Sequence, residues 1–373
     1  MEPSYMFAQE NPFKFGTIVD GSFFTDRVEE LPKVRQMISS HNHLVLISPR
    51  RYGKTSLVRK AILQTGRPAV FVNVQMAMSS CGLAELLLKS FFAIHPWERF
   101  KDAIRSFRAR PTMTLNPETN GVEFSFEATA KGKAALEDAL NLLNNKSDPE
   151  NRLIVVLDEF QEITRLEPGT DKLLRGIMQL HANVNYVFLG SEESMMTSIF
   201  EDIKSPFFHF GALMHLGRIP YDDFLEFLQK RLEKIRGEMA FEDAREILEL
   251  TKCHPFYTQQ LAAVFWDLCV RTDKQPDVQM AADEILVNLS TSYFALWSRL
   301  NRTNRNILEV LARGVKLQDI RTFPTSTVYS AAARLKKEGM LVRDKDYELE
   351  DPFFALWIRR SMQQAAIGLP PAE

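Results

Sequence analysis

The chain has 373 residues, 45% of them hydrophobic and 25% charged, which is typical of a globular protein of more than one domain. Its 46 basic and 48 acidic residues give a net charge of -2. The chain therefore has no overall basic excess that would favour binding to nucleic acid or to anionic membranes. Cys81, Cys253 and Cys269 are too widely spaced for a structural zinc site. The sequence shows no signal-peptide pattern and no run of roughly 18 apolar residues, so we expect a soluble, cytoplasmic protein with no membrane partner.

The first part of the chain predicts an arm followed by an α/β domain. Residues 1–22 predict a loosely structured N-terminal arm. Over residues 23–218, helical patterns alternate with short runs rich in Val, Ile, Leu and Phe: LVLI, AVFVNV, LIVVL and NYVFLG. Because these runs do not alternate with polar residues, we expect a parallel sheet covered by helices on both faces.

Residues 101–132 interrupt this rhythm. The stretch RARPTMTLNPETNG is followed by the alternating stretch VEFSFEATA. Alternation of this kind predicts an edge hairpin or an insertion. We assign no chemistry to it.

The C-terminal part predicts two smaller domains and a tail. Residues 219–295 carry helical patterns only and predict a helical lid domain. Residues 296–365 read as three helices followed by a short hairpin, the order of a winged helix. Residues 366–373 are predicted to be a C-terminal tail.

A short turn between a predicted strand and a predicted helix matches the phosphate-loop pattern G-x-x-x-x-G-K-[ST] at every fixed position except the first. In such a loop, backbone N–H groups and the helix N-terminus surround the phosphates. Lys54 would reach the β- and γ-phosphates, Thr55 would enter the shell of a Mg²⁺ ion, and Gly53 leaves room for the phosphate. The candidate nucleotide-binding residues of the loop are Ser48, Pro49, Arg50, Arg51, Tyr52, Gly53, Lys54, Thr55 and Ser56.

Ser48 stands where this pattern has its first glycine. The turn at that position often has torsions that cost a residue other than glycine about 1 to 3 kcal/mol. Ser48 must therefore adopt an allowed form of the turn or weaken the loop. The alternative is a Gly-Lys-Thr tripeptide that merely begins a helix on a basic surface, but the strand before it and the helix after it favour the phosphate loop.

Two carboxylates follow the most apolar predicted strand. The run LIVVL ends directly before Asp158 and Glu159, and the carboxyl ends of parallel strands are where α/β sheets bind ligands. Asp158 can hold Mg²⁺ through water, and Glu159 can polarise an attacking water. Ser191 follows the strand NYVFLG at the same expected edge and can sense the γ-phosphate or that water. The alternatives are two solvated acids and a simple turn serine.

The string at residues 145–148, Asn-Lys-Ser-Asp, matches the pattern that reads a guanine base. It precedes the Asp158 strand and ends a helical run, whereas a guanine-reading string follows a later strand. We therefore exclude guanine specificity.

Several motifs follow one another along nearly the whole chain in one order. They are FFTDRVEEL, SPRRYGKTSLV, LDEFQE, GSEESMM, KCHPFYTQQL and ELEDPFFALWIRR. In this order they resemble the boxes of the archaeal-type ATPase family, P-loop proteins close to AAA+ and STAND ATPases that also occur in bacteria. The motifs outside the phosphate loop and the LDEFQE segment are weak evidence individually, and the resemblance depends on their order along the chain.

The resemblance implies a P-loop ATPase domain with a helical lid and a winged helix, using ATP and Mg²⁺. It implies that the box containing Arg27 lies against the nucleotide base, and that Pro255 of the lid packs near the adenine and ribose. Three positions depart from the family. Ser48 replaces a glycine, Cys253 stands where the lid motif has glycine, and Ala212 stands where relatives carry an arginine, which leaves Arg218 as the nearest cation.

These observations predict an enzyme that hydrolyses ATP to ADP and phosphate and couples nucleotide state to movement of the lid and winged helix. Lys54, Glu159 and Ser191 are the candidate catalytic residues, and Thr55 and Asp158 the candidate metal ligands. The alternative is a switch that binds ATP and scarcely hydrolyses it, which the missing arginine would favour. Assembly into a homo-oligomer, with an arginine supplied by a neighbour, is also open.

DNA is a further candidate partner, through the winged helix. Residues 298–361 contain 13 basic and 8 acidic residues, and Arg334, Lys336 and Lys337 lie on the candidate recognition helix. That helix begins with small residues that offer few donors to base edges. Packing against a protein partner is the alternative.

Overall fold

The structure is a computed structural model that describes residues 10–19, 21–25, 27–96, 100–116, 121–127, 131–272, 275–343 and 345–366. Residues 1–9 of the predicted arm and 367–373 of the predicted tail lie outside this set. None of the helices in the described ranges is both long and apolar enough to cross a bilayer. The chain divides into two compact units. The sheet unit comprises Val28–Arg50 and Lys54–Gly217, and the lid unit comprises Met1–Arg27, Arg51–Gly53 and Arg218–Glu373.

The described residues of the sheet unit form seven strands. They are β1 (Leu44–Ile47), β2 (Ala69–Asn73), β3 (Thr112–Asn116), β4 (Gly121–Ser125), β5 (Leu153–Asp158), β6 (Val184–Gly190) and β7 (Ala212–His215). Five of them form one sheet in the order β2-β5-β6-β1-β7, and every neighbouring pair is parallel. This confirms the predicted parallel sheet.

The helices of this unit cover both faces of the sheet. Every residue of β1 and β6 is buried, which requires cover on each side because successive side chains point to opposite faces. The helices are α1 (Glu30–Ser39), α2 (Lys54–Thr65), α3 (Ser80–Phe92), α4 (Lys101–Arg105), α5 (Gly132–Lys146), α6 (Thr170–Met178) and α7 (Glu193–Phe200). Because both faces of these strands are buried, their sequences do not alternate between apolar and polar residues.

Strands β3 and β4 pair with each other in a two-stranded antiparallel sheet separate from the main sheet. The segment is therefore an insertion between α3 and α5. Phe124 of β4 is buried and stacks on Phe92 of α3 with ring centroids 5.1 Å apart, which anchors the insertion to the helix.

The strand order brings the carboxyl ends of β5, β6 and β1 side by side. Leu157 pairs with Phe188 and Ile47 with Gly190, so the residues that follow these three strands emerge at one edge of the sheet. Residues 145–148, the guanine-like string, end α5 and precede β5, toward the amino end of that strand.

The lid unit contains seven helices and a hairpin among its described residues. They are α8 (Tyr221–Arg236), α9 (Ala240–Thr251), α10 (Pro255–Arg271), α11 (Val278–Ser298), α12 (Arg302–Ala312), α13 (Thr325–Lys337), β8 (Leu341–Arg343), β9 (Tyr347–Leu349) and α14 (Pro352–Ala366). The winged-helix order is confirmed, with the middle element reduced to a 3₁₀ turn at Leu317–Asp319.

One continuous hydrophobic core runs through this unit, from Phe13 to Ile358, and includes both the lid helices and the winged helix. The described residues of the arm take part in it. Phe13 is buried against Phe227 and Trp266, and Asn11 Nδ2 donates to the backbone oxygen of Ala263. This part of the segment predicted as a loose arm is therefore packed.

Candidate active site

Lys54 and Glu159 form an ion pair at the carboxyl edge of the sheet. Lys54 is the first residue of α2, and Glu159 directly follows β5. Lys54 Nζ lies 3.4 Å from Glu159 Oε1, and the two side chains are only 8% and 20% exposed. A lysine this buried needs an anion beside it, and here the anion is the carboxylate.

Thr55 and Asp158 lie beside this pair. The Thr55 hydroxyl donates to Asp158 Oδ2 over 2.8 Å, and the other carboxylate oxygen accepts from the backbone N–H of Glu159 over 3.0 Å. The structure therefore brings together the four residues Lys54, Thr55, Asp158 and Glu159, here called the sheet-edge cluster.

The second oxygen of Glu159 accepts two further hydrogen bonds. Ser191 Oγ donates to Oε2 over 2.5 Å, and Gln161 Nε2 donates over 2.6 Å. Ser191 comes from the end of β6, as the strand order requires, whereas Gln161 lies in the 3₁₀ turn Phe160–Arg165 that follows Glu159. Glu159 itself has a φ of 52°, a left-handed conformation that is costly for a glutamate and that is held by these contacts.

The pKa values of the two neighbouring carboxylates are shifted in opposite directions. Burial raises the pKa of Asp158, and the nearby Lys54 only partly offsets this. Burial would also raise the pKa of Glu159, but attraction by Lys54 and the hydrogen bonds from Ser191 and Gln161 outweigh it, so its pKa is lowered. Glu159 is therefore held ionised, the state that a general base requires.

Thr55 and Asp158 fit a magnesium ion. Their oxygens lie 2.8 Å apart, and Mg²⁺ prefers oxygen ligands. Asp158 is the more poorly compensated of the two carboxylates, because burial raises its pKa despite Lys54, so a cation beside it would stabilise its charge. Mg²⁺ is usually held by one or two protein groups with water and phosphate oxygens, which matches this small donor set.

The start of the loop is unstrained at Ser48. Ser48 is buried, its backbone N–H donates to Gly190 O over 3.2 Å, and it is not among the residues with positive φ. The left-handed torsions fall later, at Arg51 with φ 66° and Gly53 with φ 82°. The missing glycine is therefore not required here, because the sharp turn is made three and five residues further on.

The remaining predicted loop residues of the sheet unit surround this turn. Pro49 is half-buried, and Ser56 is buried in the first turn of α2. Arg50 is exposed and lies 4.0 Å from Glu192, a distance at which a solvated pair contributes little.

Arg51 and Tyr52 are held by side chains of the lid unit, to which they belong. The Arg51 guanidinium lies 4.6 Å from the centroid of the Phe256 ring, and its Nη1 donates to Tyr257 Oη over 3.5 Å. Tyr52 is buried, and its carbonyl accepts from Arg27 Nη2 over 2.8 Å. Arg27, predicted to lie near a nucleotide base, therefore holds the loop backbone in this structure.

Glu350 connects Tyr52 to the start of α10. Tyr52 Oη donates to Glu350 Oε2 over 3.3 Å, and His254 Nε2 lies 3.2 Å from Glu350 Oε1. His254 Nδ1 accepts from the N–H of Phe256 over 3.2 Å and so caps α10, which places the imidazole proton on Nε2, facing Glu350. Pro255 occupies the first position of α10, which suits proline because no backbone N–H is needed there.

Glu348, two positions before Glu350 in the sequence, forms ion pairs with two basic side chains. Arg218 Nη1 and Lys252 Nζ each lie 3.1 Å from Glu348 Oε2. Glu348 lies in β9, and Glu350 is the first residue after that strand. Arg218, the nearest cation to the family's missing arginine, is therefore paired within the lid unit. Cys253, which replaces the lid glycine, has a φ of 57°, so it adopts the conformation that favours glycine.

Sequence reasoning missed Gln161, Glu348 and Glu350 as site residues. Gln161 stands in the LDEFQE motif, but no periodicity marks it as buried or directs it at Glu159. No pattern in YELE indicates the partners of Glu348 and Glu350.

Two solved structures of archaeal proteins have a similar fold. A Walker-type ATPase of Pyrococcus abyssi aligns with a TM-score of 0.63 and 19% identity, over 90% of this chain and 96% of that chain. The ORC2 protein of Aeropyrum pernix, solved as ADPNP-ADP complexes, aligns with a TM-score of 0.53 and 16% identity, over 95% of this chain and 99% of that chain. No protein-family model and no curated protein matches the sequence. The chain thus has the fold of archaeal P-loop ATPases, and the resemblance read from its motifs is confirmed at the level of the fold.

Proposed function

We propose that this protein binds ATP with Mg²⁺ and hydrolyses it to ADP and phosphate. The observation that supports this proposal is the sheet-edge cluster. A buried lysine and a hydroxyl begin the helix after β1, and each pairs with one of two carboxylates at the end of β5, 3.4 Å and 2.8 Å away. A basic group for phosphate, a donor set for a hard cation and an ionised base are the parts that phosphoryl transfer to water needs.

Each residue of the cluster has a defined task in this proposal. The phosphates replace Glu159 as the anion beside Lys54, which frees Glu159 Oε1 to accept a proton from water. Thr55 and Asp158 would hold Mg²⁺, which when bound neutralises charge on the β- and γ-phosphate oxygens. Ser191 keeps Glu159 Oε2 in place by donating to it. Loop N–H groups and the N-terminus of α2 face the phosphate oxygens.

The experiment is to measure ATP binding and phosphate release by the wild type, Lys54→Ala and Glu159→Gln. We expect Lys54→Ala to lose ATP binding, because no other lysine begins α2. We expect Glu159→Gln to retain ATP binding and to lose phosphate release. Lys60→Ala, on the same helix but in its second turn, is the matched control and should behave as wild type. A Lys54→Ala protein that binds ATP as tightly as the wild type would refute the proposal.

The second candidate is a nucleotide switch with little turnover. Its support is that both oxygens of Glu159 are already engaged, that Ala212 stands in place of the family arginine, and that Arg218 is paired with Glu348. A switch predicts that the wild type binds ATP yet releases phosphate no faster than Glu159→Gln. Faster release by the wild type favours the enzyme.

DNA binding by the winged helix is a separate proposal. The exposed residues of α13 include Ser326, Tyr329, Ser330, Arg334 and Lys337. Arg334 and Lys337 carry positive charge for phosphate, and Arg334 Nη2 also donates to Asn304 Oδ1 over 3.3 Å. We expect weak, salt-sensitive binding that Lys337→Ala reduces further. Electrophoretic shifts of the full chain between about 50 and 200 mM salt test it, because each lost phosphate contact lowers the salt slope.

Assembly into a homo-oligomer would supply an arginine that this chain lacks at Ala212. Under this proposal, the turnover per chain rises with protein concentration as neighbours complete the site. Phosphate release measured across a range of protein concentrations tests it, and a constant specific rate argues against a shared site.

A further inference from the structure

The lid unit contains an open cavity of about 690 Å³, and none of its lining residues belongs to the sheet-edge cluster or to the phosphate loop. Its walls come mainly from α9 and α14, from the ends of α8, α12 and β9, and from the start of α11. The volume lies within the range of about 300 to 1,000 Å³ that is usual for sites that hold small organic molecules. Part of the lining is apolar and buried, namely Leu311, Ala312, Leu349 and Ala355.

Five basic residues of the described ranges line this cavity, and three of them are paired with carboxylates. The most buried pair is Arg236 with Asp243, whose side chains are only 6% and 8% exposed and whose Nε and Oδ2 atoms lie 2.6 Å apart. The other pairs are those of Arg245 with Glu242 and Glu249, and of Lys252 with Glu348. The charges of these three basic residues are therefore balanced within the lid unit.

The two remaining acidic residues of the lining are already hydrogen-bonded. Glu246 Oε1 accepts from Gln279 Nε2 over 2.7 Å. Asp277 Oδ1 accepts from the backbone N–H of Met280 over 2.8 Å and so caps α11. All the acidic residues of the lining lie on α9 or at the start of α11. An anion would therefore bind to the other wall of the cavity, which α12 and α14 form.

That wall carries two arginines without a carboxylate partner among the described residues. The Arg359 side chain forms no hydrogen bond or ion pair with any of them, and the Arg313 side chain contacts only the thioether of Met362, over 3.6 Å. Arg359 and Met362 are three positions apart on α14, so they are neighbours on the helix surface. Both arginines therefore lie along the same stretch of α14. They are exposed, so a ligand can reach them from solvent.

The surroundings of Arg359 disfavour its charge when no anion is present. Burial lowers its pKa, and the charge of Arg360 lowers it further. A guanidinium has five N–H donors and no acceptor, and its shape matches the oxygens of a carboxylate or a phosphate. The groups left without partners in the cavity are therefore donors beside an apolar surface, an arrangement complementary to an organic anion.

We propose that this cavity is a binding site for a small organic anion, a molecule with an apolar body and a carboxylate or phosphate group. Arg313 and Arg359 donate hydrogen bonds to the anionic group, and the apolar body packs against Leu311 and Ala355. The site goes beyond the proposed ATPase function and does not depend on it.

The test is titration of the full chain with anilinonaphthalene sulfonate (ANS), an aromatic anion that binds apolar surface and is detected by fluorescence. Phenylnaphthylamine, which has the same aromatic body without the sulfonate, is the neutral probe. The variants are Arg313→Gln, Arg359→Gln and the double variant. Arg360→Gln is the matched control, because Arg360 adjoins Arg359 on α14 but pairs with Asp283 and is not among the residues that line the cavity.

We expect the dissociation constant for ANS to rise by about tenfold in each single variant and further in the double variant, because each loses a hydrogen bond to a charged group. Arg360→Gln should stay within about twofold of the wild type, because its ion pair with Asp283 is partly solvated. The affinity for phenylnaphthylamine should be the same in all the proteins, because this probe has no anionic group. The urea midpoint of Arg359→Gln should be no lower than that of the wild type, because the variant removes a partly buried charge without a partner.

A loss of structure gives the opposite result. A loosened core exposes apolar surface and increases ANS binding, whereas the proposal predicts a decrease. An ANS affinity of the double variant equal to that of the wild type, or no ANS binding by the wild type, would overturn the proposal. An equal loss of affinity for ANS and for phenylnaphthylamine would also overturn it, because the arginines would then only shape the cavity.

Competition identifies the anionic group of the ligand. Naphthoate and naphthyl phosphate share an aromatic body and differ in carrying a carboxylate or a phosphate. We expect at least one of them to displace ANS from the wild type, and the stronger competitor shows which group the two arginines prefer. Displacement by neither compound would contradict the proposed class of ligand.

Discussion

The molecule has two pairs of carboxylates that are built in different ways. Asp158 and Glu159 are consecutive residues at the end of a central strand of the sheet unit. Their partners come from the start of α2, from the residue after β6 and from the turn that follows Glu159. Glu348 lies in β9 of the hairpin in the lid unit, and Glu350 follows that strand; their partners are two cations, a histidine and a tyrosine.

The surroundings of the two pairs show what each is fitted to do. Burial raises the pKa of Asp158, whereas Lys54 and the hydrogen bonds from Ser191 and Gln161 lower that of Glu159, as the proposed division into a metal ligand and a base requires. Burial would raise the pKa of Glu348, but Lys252 and Arg218 lower it, and both of these cations form ion pairs with the carboxylate. The first pair therefore suits the proposed chemistry, whereas the second pair joins residues within the lid unit.

The largest expected contrast comes from making the same substitution in each pair. Glu159→Gln should lower kcat by about 10²- to 10⁴-fold, the range for loss of a general base. Glu350→Gln should leave kcat within about tenfold but lower the free energy of unfolding by about 1 kcal/mol, because two donors lose a charged acceptor. Steady-state phosphate release and urea unfolding measure the two effects. If Glu350→Gln proved the more damaging to kcat, the assignment of roles to the two pairs would be wrong.

The next effect is a loss of stability in acid, centred on the sheet unit. Burial lowers the pKa of His43, with help from Arg152, and that of His181, each to about 4. An unfolded histidine titrates near 6.5, so between about pH 6.5 and 4 the unfolded chain binds more protons and stability falls as the pH falls. Urea unfolding across this window should show the loss.

His181→Gln is the control for this titration. His181 Nδ1 lies 2.7 Å from the hydroxyl of Tyr186, and glutamine can keep a polar contact without titrating. The stability advantage of the wild type over this variant should therefore shrink as the pH falls from about 6.5 to 4. An advantage that stays constant across the window would contradict the assignment.

A smaller effect should test whether Tyr52 and Glu350 act together. Tyr52→Phe removes the donor to Glu350 Oε2 while keeping the buried ring, which lies 4.8 Å from the His254 ring. We expect a loss of about 1 kcal/mol of unfolding free energy, and less than additive losses when it is combined with Glu350→Gln. Urea unfolding of the two single variants and the double variant gives the coupling energy, and strict additivity would show that the hydrogen bond contributes nothing.

The smallest expected effect is that of Ser48→Gly. Because Ser48 does not have a positive φ, glycine relieves no strain there. It adds freedom to the unfolded chain, at about 0.5 to 1 kcal/mol, and removes the hydrogen bond from Ser48 Oγ to Pro49 O. ATP affinity and kcat should stay within about twofold of the wild type. A clear gain in either would show that the serine strains the loop when nucleotide is bound. Isothermal titration and phosphate release measure the two quantities.

Much of the candidate site could be predicted from the sequence because it depends on local patterns. Apolar runs without alternation predict buried parallel strands, and the residues that follow such runs must emerge at the carboxyl edge of the sheet. The positions of Lys54, Thr55, Asp158, Glu159 and Ser191 follow from this rule. Ser48 was predicted to adopt an allowed turn or to weaken the loop, and the structure has the allowed turn.

The sequence by itself therefore determined the parallel sheet, the winged-helix order and the set of groups at the sheet edge, because each depends on spacing along the chain. Only the tertiary structure decided which side chains meet over long separations. Gln161 turns toward Glu159 because a 3₁₀ turn follows the strand, and Glu350 meets Tyr52 because one core joins the lid helices to the winged helix. Such contacts depend on how whole elements pack, and the periodicity of any single segment carries no record of its distant partners.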